Sequence, residues 1–149
     1  RKTPWRLPSP LGQLSSSEKR RIKVFMHTHD LNNQNFQGTV EKPGIVVVDV
    51  WGTHCGPCKT FAPIFDQVAG ENLDVVFGKI CTDDQPELAS ALQIRAVPTL
   101  MVFRDGILVY REAGALPKKA FASLVEEARK LDMEKVREEI AKHDATHGA

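Results

Sequence analysis

The sequence predicts an α/β fold, with a central mixed five-stranded sheet flanked by four helices and a helical extension at the C-terminal end. Three observations lead there. Strand-like and helix-like stretches alternate through the middle of the chain. The run GIVVVDVW, residues 44–51, is almost continuously β-branched, as a strand buried on both faces would be. TLMVFRDGILVYREA, residues 99–113, reads as a hairpin turning at Asp105-Gly106.

The elements follow in order. Residues 1–22 hold Pro4, Pro8, Pro10 and a serine-rich stretch with few apolar positions, which predicts a flexible arm. IKVFMH, 22–27, alternates loosely and suits a strand. DLNNQNFQGTVEK, 30–42, reads as a helix capped by Asp30, with Leu31, Phe36 and Val40 on one side. After the β-branched run, CKTFAPIFDQVAG carries Phe61, Ile64, Phe65 and Val68 at helical spacing. Pro63 interrupts that helix and Gly70 is its expected stop. LDVVFGKIC, 73–81, is an apolar strand, and DQPELASALQI, 84–94, a short helix with Pro86 in its first turn. PKKAFASLVEEARKL, 117–131, is an amphipathic helix starting at Pro117. Residues 132–149 hold one more polar helical stretch and a frayed end. The predicted division is an arm at 1–22, one domain at 23–131 and an extension at 132–149. Strand-helix-strand units pair their strands in parallel through right-handed crossovers, and the hairpin adds antiparallel pairs.

A net charge of +1 gives no overall pull towards nucleic acid. Residues 1–24 carry Arg1, Lys2, Arg6, Lys19, Arg20, Arg21 and Lys23 against Glu18 alone, which reads as a solvated basic tail. No apolar run approaches the roughly 18 residues of a membrane span. The first residue is Arg, so a targeting segment or anchor ahead of it is compatible with the sequence. Three cysteines are too few, and odd in number, for a secreted disulfide scaffold.

Two of those cysteines carry the chemistry. Cys55 and Cys58 lie in WGTHCGPCKTF, where the buried strand ends and a helix begins. That is the sheet edge at which open α/β proteins place their sites. Near a helix start, unpaired N–H groups and the helix dipole favour a thiolate, the nucleophilic form. Three residues along a helix bring two Cα atoms to about 5 Å, inside the window for a disulfide. Gly56 leaves the approach to Cys55 open, and Pro57 tolerates the first turn. A zinc site wants four ligands, and His54, Cys55 and Cys58 supply three, with Cys81 a distant fourth. His27 and His29 share a strand face and read as surface residues. The expectation is therefore redox chemistry, with no metal. Asp49 sits in the apolar run and by alternation shares a face with Val47 and Trp51, so burial is expected to raise its pKa. Cys81 ends a strand and reads as a buried, inert thiol.

VVVDVWGTHCGPCKTFAPIF, 46–65, IRAVPTLMVFRDG, 94–106, and AGAL, 113–116, closely resemble three hallmark segments of the thioredoxin family, in order and spacing, over about Lys23 to Leu131. The run is most similar to bacterial thioredoxins. The resemblance implies a thioredoxin fold and protein-disulfide reduction, with Cys55 as attacking and Cys58 as resolving cysteine. It implies Asp49 as the buried carboxylate behind the pair and Lys79 as its neighbour. It implies a cis bond at Val97-Pro98, and a target-binding rim of Trp51, Gly56, Pro57, Val97, Pro98 and Gly114 with its flanking alanines, Ala113 and Ala115. The redox-active Cys55–Cys58 disulfide is expected to serve with no bound cofactor. Expected partners are disulfide-containing target proteins and an NADPH-dependent thioredoxin reductase, with no nucleic acid and no membrane span. A cytoplasmic monomer is expected, or an exported or organellar protein if a segment precedes Arg1.

The family usually carries Trp just before the first cysteine, and here the residue is His54. An imidazolium there would stabilise the Cys55 thiolate, predicting a more oxidising pair. Two other readings follow from the residues: an oxidase or isomerase, and a non-enzymatic binding module of the same fold. Gly56-Pro57 between the cysteines speaks against the first of these.

Overall fold

The computed structural model describes residues 15–17 and 27–147. The arm, but for Ser15–Ser17, and the strand expected at 22–27, but for His27 in a turn, lie outside those residues. Among residues 27–147, five strands and five helices follow in the order β1 (Thr28–Asp30), α1 (Phe36–Val40), β2 (Ile45–Trp51), α2 (Gly56–Glu71), β3 (Val76–Cys81), α3 (Pro86–Ala91), β4 (Thr99–Arg104), β5 (Ile107–Ala113), α4 (Lys118–Lys130) and α5 (Met133–His147). The sheet order is β1-β3-β2-β4-β5. β3 runs parallel to both β1 and β2, while β4 is antiparallel to β2 and β5. This is the mixed sheet that the alternation predicts.

β2 is central because its side chains satisfy both faces. Val46, Val47, Val48 and Val50 are all fully buried. Val47 packs with Phe61 and Phe65 of α2, Phe121 of α4 and Leu100 and Val102 of β4. On the opposite face Val46, Val48 and Val50 pack with Phe36 and Val40 of α1, Leu88 of α3 and Met101 and Phe103 of β4. Phe61, Phe65, Phe77 and Phe121 stack ring to ring at centroid separations of 5.3–6.3 Å. Such pairing adds to the burial term and fixes α2 and α4 against the sheet.

Two boundaries differ from expectation. Asp30 does not cap a helix, because it belongs to β1. Asn32 takes over: its Oδ1 accepts from the backbone N–H of Gln34 and Asn35, which holds residues 32–35 in a turn and delays α1 to Phe36. Gly70 does not stop α2, which runs on to Glu71 before Asn72 Nδ2 donates to the free carbonyl of Val68. Beyond α4, Asp132 Oδ1 accepts from the N–H groups of Glu134 and Lys135 and starts α5. Met133 is buried, and Arg137 reaches Asp105 in the hairpin turn at 3.8 Å. Among the described residues no helix is long and apolar enough to cross a membrane.

Candidate active site

The strand-to-helix junction after β2 brings the two cysteines together. Cys55 is the N-cap of α2, with extended backbone, and its sulfur accepts from Cys58 N–H at 3.2 Å. Pro57 sits in the first turn, where it forfeits no helical hydrogen bond. Cys55 and Cys58 form a disulfide with Cα atoms 5.3 Å apart. Both are buried, at 8% and 3% exposure, while Gly56 and Pro57 between them are exposed. One face of the pair is thus covered and one edge is open.

Behind it lies Asp49, 2% exposed and facing α2 as alternation predicts. Burial pushes its pKa from 3.8 up to about 7; the Lys79 charge opposes that rise and the Asp66 charge adds to it. Asp49 and Lys79 are register partners across β2 and β3. Lys79 Nζ lies 2.7 Å from Asp66 Oδ1 of α2, an ion-pair distance without the angle of a hydrogen bond, and 5.8 Å from the Phe65 ring centroid. A partly open cavity of about 190 Å³ is lined by Asp49, Lys79, Trp51 and Cys58, so the carboxyl and the second cysteine border one space.

The opposite wall comes from the loop ahead of β4. The Val97-Pro98 peptide is cis, and Val97 O lies 3.5 Å from Cys55 Sγ. Gly114 N–H donates to Pro98 O at 2.8 Å. Its φ of +111° is a conformation that favours glycine, so the turn after β5 can close on the loop. His54 is exposed beside Cys55. Cys81 is free and buried, in register with Trp51. Among the described residues no cluster of three His, Cys, Asp or Glu side chains is placed to hold a metal.

Two contacts of this site lie beyond the residues the sequence predicts. One is Asp66 against Lys79. The other is Asp83, whose Oδ2 accepts from both the N–H and the hydroxyl of Thr53, each at 2.8 Å, pinning the loop before the cysteines. Asp83 lies two residues past the end of β3 at the same sheet edge, and that position was the available signal.

A model of the Thioredoxin family matches residues 27–127. The chain belongs to the thioredoxin family. It is 44% identical to "Putative thioredoxin 2" of Streptomyces coelicolor over 121 residues, 81% of this chain and 90% of that one. "Thioredoxin 1" of Synechococcus elongatus is 41% identical over 91 residues, 60% of this chain and 85% of its own length. Among solved structures, a mutant thioredoxin from Halobacterium salinarum NRC-1 aligns with a TM-score of 0.65 at 28% identity, covering 70% of this chain and 93% of that one. Membership makes this chain a thiol-disulfide oxidoreductase, and the close Cys55–Cys58 pair is its redox disulfide. The thioredoxin fold and the bacterial-type Cys-Gly-Pro-Cys motif therefore stand as read from the sequence.

Proposed function

We propose that the protein is a protein-disulfide reductase recycled by thioredoxin reductase. The observation that carries this reading is a buried disulfide at a helix start, backed by a carboxyl whose pKa lies near 7.

In the reduced protein, Cys55 thiolate attacks one sulfur of a target disulfide. A Cys55–target disulfide forms and the other target sulfur leaves as thiolate. Asp49 takes the proton from Cys58, and Lys79 steadies the resulting negative charge. Cys58 thiolate then attacks Cys55 sulfur, closing the Cys55–Cys58 disulfide and expelling the second target thiolate. Both target sulfurs end as thiols and the protein carries the oxidation. Electrons from NADPH, passed on by thioredoxin reductase, reopen the pair. Val97 pairs through its backbone with an extended target segment, while Trp51, Gly56, Pro57, Pro98 and Gly114 form the rim on which that segment rests. His54 beside Cys55 favours the thiolate form and a more oxidising pair than the family norm.

The exchanging unit in this reading is 23–131, with the arm at 1–22 and the extension at 132–149 outside it, acting as a monomer in the cytoplasm. The test is insulin-disulfide reduction with NADPH and thioredoxin reductase. The intact protein supports turnover and Cys55→Ser abolishes it; turnover that survives Cys55→Ser refutes the reading.

A further inference from the structure

The Val97 loop has a second feature on its outer side. An open depression of about 500 Å³ is bounded by Gln93, Arg95, Ala96 and Thr99 on one side and Arg111 and Ala113 on the other. Ala96 adjoins Val97, and Ala113 adjoins Gly114, so the depression borders both walls of the target rim. Arg95 and Arg111 are exposed, and among the described residues neither guanidinium forms an ion pair. Arg111 is held in place: its Nη2 donates to Gln93 O at 2.8 Å, which leaves the rest of its fork of donors open.

Glu112 also lines the depression, and the sheet register settles how its charge acts. Residues directly opposite in an antiparallel pair share a face. Arg111 is opposite Met101, which packs on the α1/α3 side, and Glu112 is opposite Leu100, which packs on the α2/α4 side. Burial raises the pKa of the Tyr110 phenol, and the charge of Glu112, two residues away on the same face, adds to the rise. The two guanidiniums therefore dominate the α3 side of the rim.

We infer that Arg95 and Arg111 form a subsite for an acidic side chain of the target. This rests on the exchange reading, in which an extended target segment bridges to Val97. Such a segment advances about 3.3 Å per residue. Arg95 stands two residues from Val97 across the bend at 96–98, so a target side chain about two residues from the bridged position comes within reach of its long side chain. A carboxylate there meets two cations that, among the described residues, form no ion pair. Chains carrying Lys at that position meet repulsion instead.

The experiment uses prereduced full-length protein in single turnover against two extended disulfide peptides. They are identical except for Glu or Lys at the second and third residues to either side of the attacked cysteine, positions that include the one two residues from the bridge because Val97 O lies 3.5 Å from Cys55 Sγ. The intact protein reduces the Glu peptide about three- to tenfold faster at low salt, and the ratio collapses towards one at about 0.5 M salt. Arg95→Glu with Arg111→Glu inverts the ratio, whereas Arg95→Lys with Arg111→Lys retains a preference for Glu. A ratio of one in the intact protein, with both peptides reduced, overturns the subsite and leaves disulfide exchange standing. A preference that persists through the double Glu variant overturns it as well. If neither peptide is reduced, the exchange reading falls and the subsite with it.

Discussion

Asp49→Asn exchanges a carboxyl that is 2% exposed, and whose pKa burial lifts from 3.8 to about 7, for an isosteric group that does not titrate. Between those two values the folded protein holds a proton that the unfolded chain has released. Stability of the wild type therefore falls as pH rises through that window, because the folded state binds more protons. The interval, at about 1.4 kcal/mol per pH unit, makes the full cost about 4 kcal/mol, reached above pH 7. At pH 5 only the lower part is expressed, about 1.5 kcal/mol. The buried Asn amide has its own desolvation cost, but that cost is the same at every pH. The diagnostic is thus the change in the stability difference: Asp49→Asn gains about 2.5 kcal/mol on the wild type between pH 5 and pH 8. Urea unfolding of both oxidised proteins, in which neither Cys55 nor Cys58 titrates, measures it directly. A stability difference independent of pH would refute the argument that the environment of Asp49 desolvates it.

Phe121→Ala removes a fully buried ring in contact with Phe61, Phe65 and Phe77, and denaturant unfolding is expected to show a loss of about 3–5 kcal/mol. Gly78→Ala places a Cβ 2.5 Å from Leu31 Cδ1 and 2.9 Å from its Cγ, and Leu31 is itself buried, so thermal unfolding is expected to report a loss of about 1–3 kcal/mol. His54→Trp withdraws an imidazole from beside Cys55 and is expected to raise the Cys55 thiol pKa; equal thiol pKa values in the two proteins would remove His54 from the control of the pair.

Much of the site was legible because it is written in short-range patterns. Alternation alone put Asp49 on the buried face with Val47, and the step from β2 into α2 placed Cys55 near a helix start, where it proves to be the N-cap. Asp105-Gly106 marked the hairpin because both residues take positive φ there, 52° and 81°. The failures have a different origin. α1 starts late because the side chain of Asn32 outcompetes a helical start at Asp30. The Thr53–Asp83 and Arg111–Gln93 contacts join residues 30 and 18 positions apart, and Asp66 meets Lys79 only after α2 has folded back over β3. No local period encodes such pairs; they follow from the crossover topology.

The bond from Cys58 N–H to Cys55 Sγ makes a helix terminus sensitive to the valence of a single sulfur. A thiolate accepts a hydrogen bond more strongly than a neutral sulfur does. In the proposed exchange reaction, reduction would therefore tighten the opening turn of α2 as it arms Cys55, and capture of a target would slacken it again. The amide proton of residue 58 would then serve as a gauge of that cycle, exchanging slowly when Cys55 is a thiolate and faster once its sulfur is bonded.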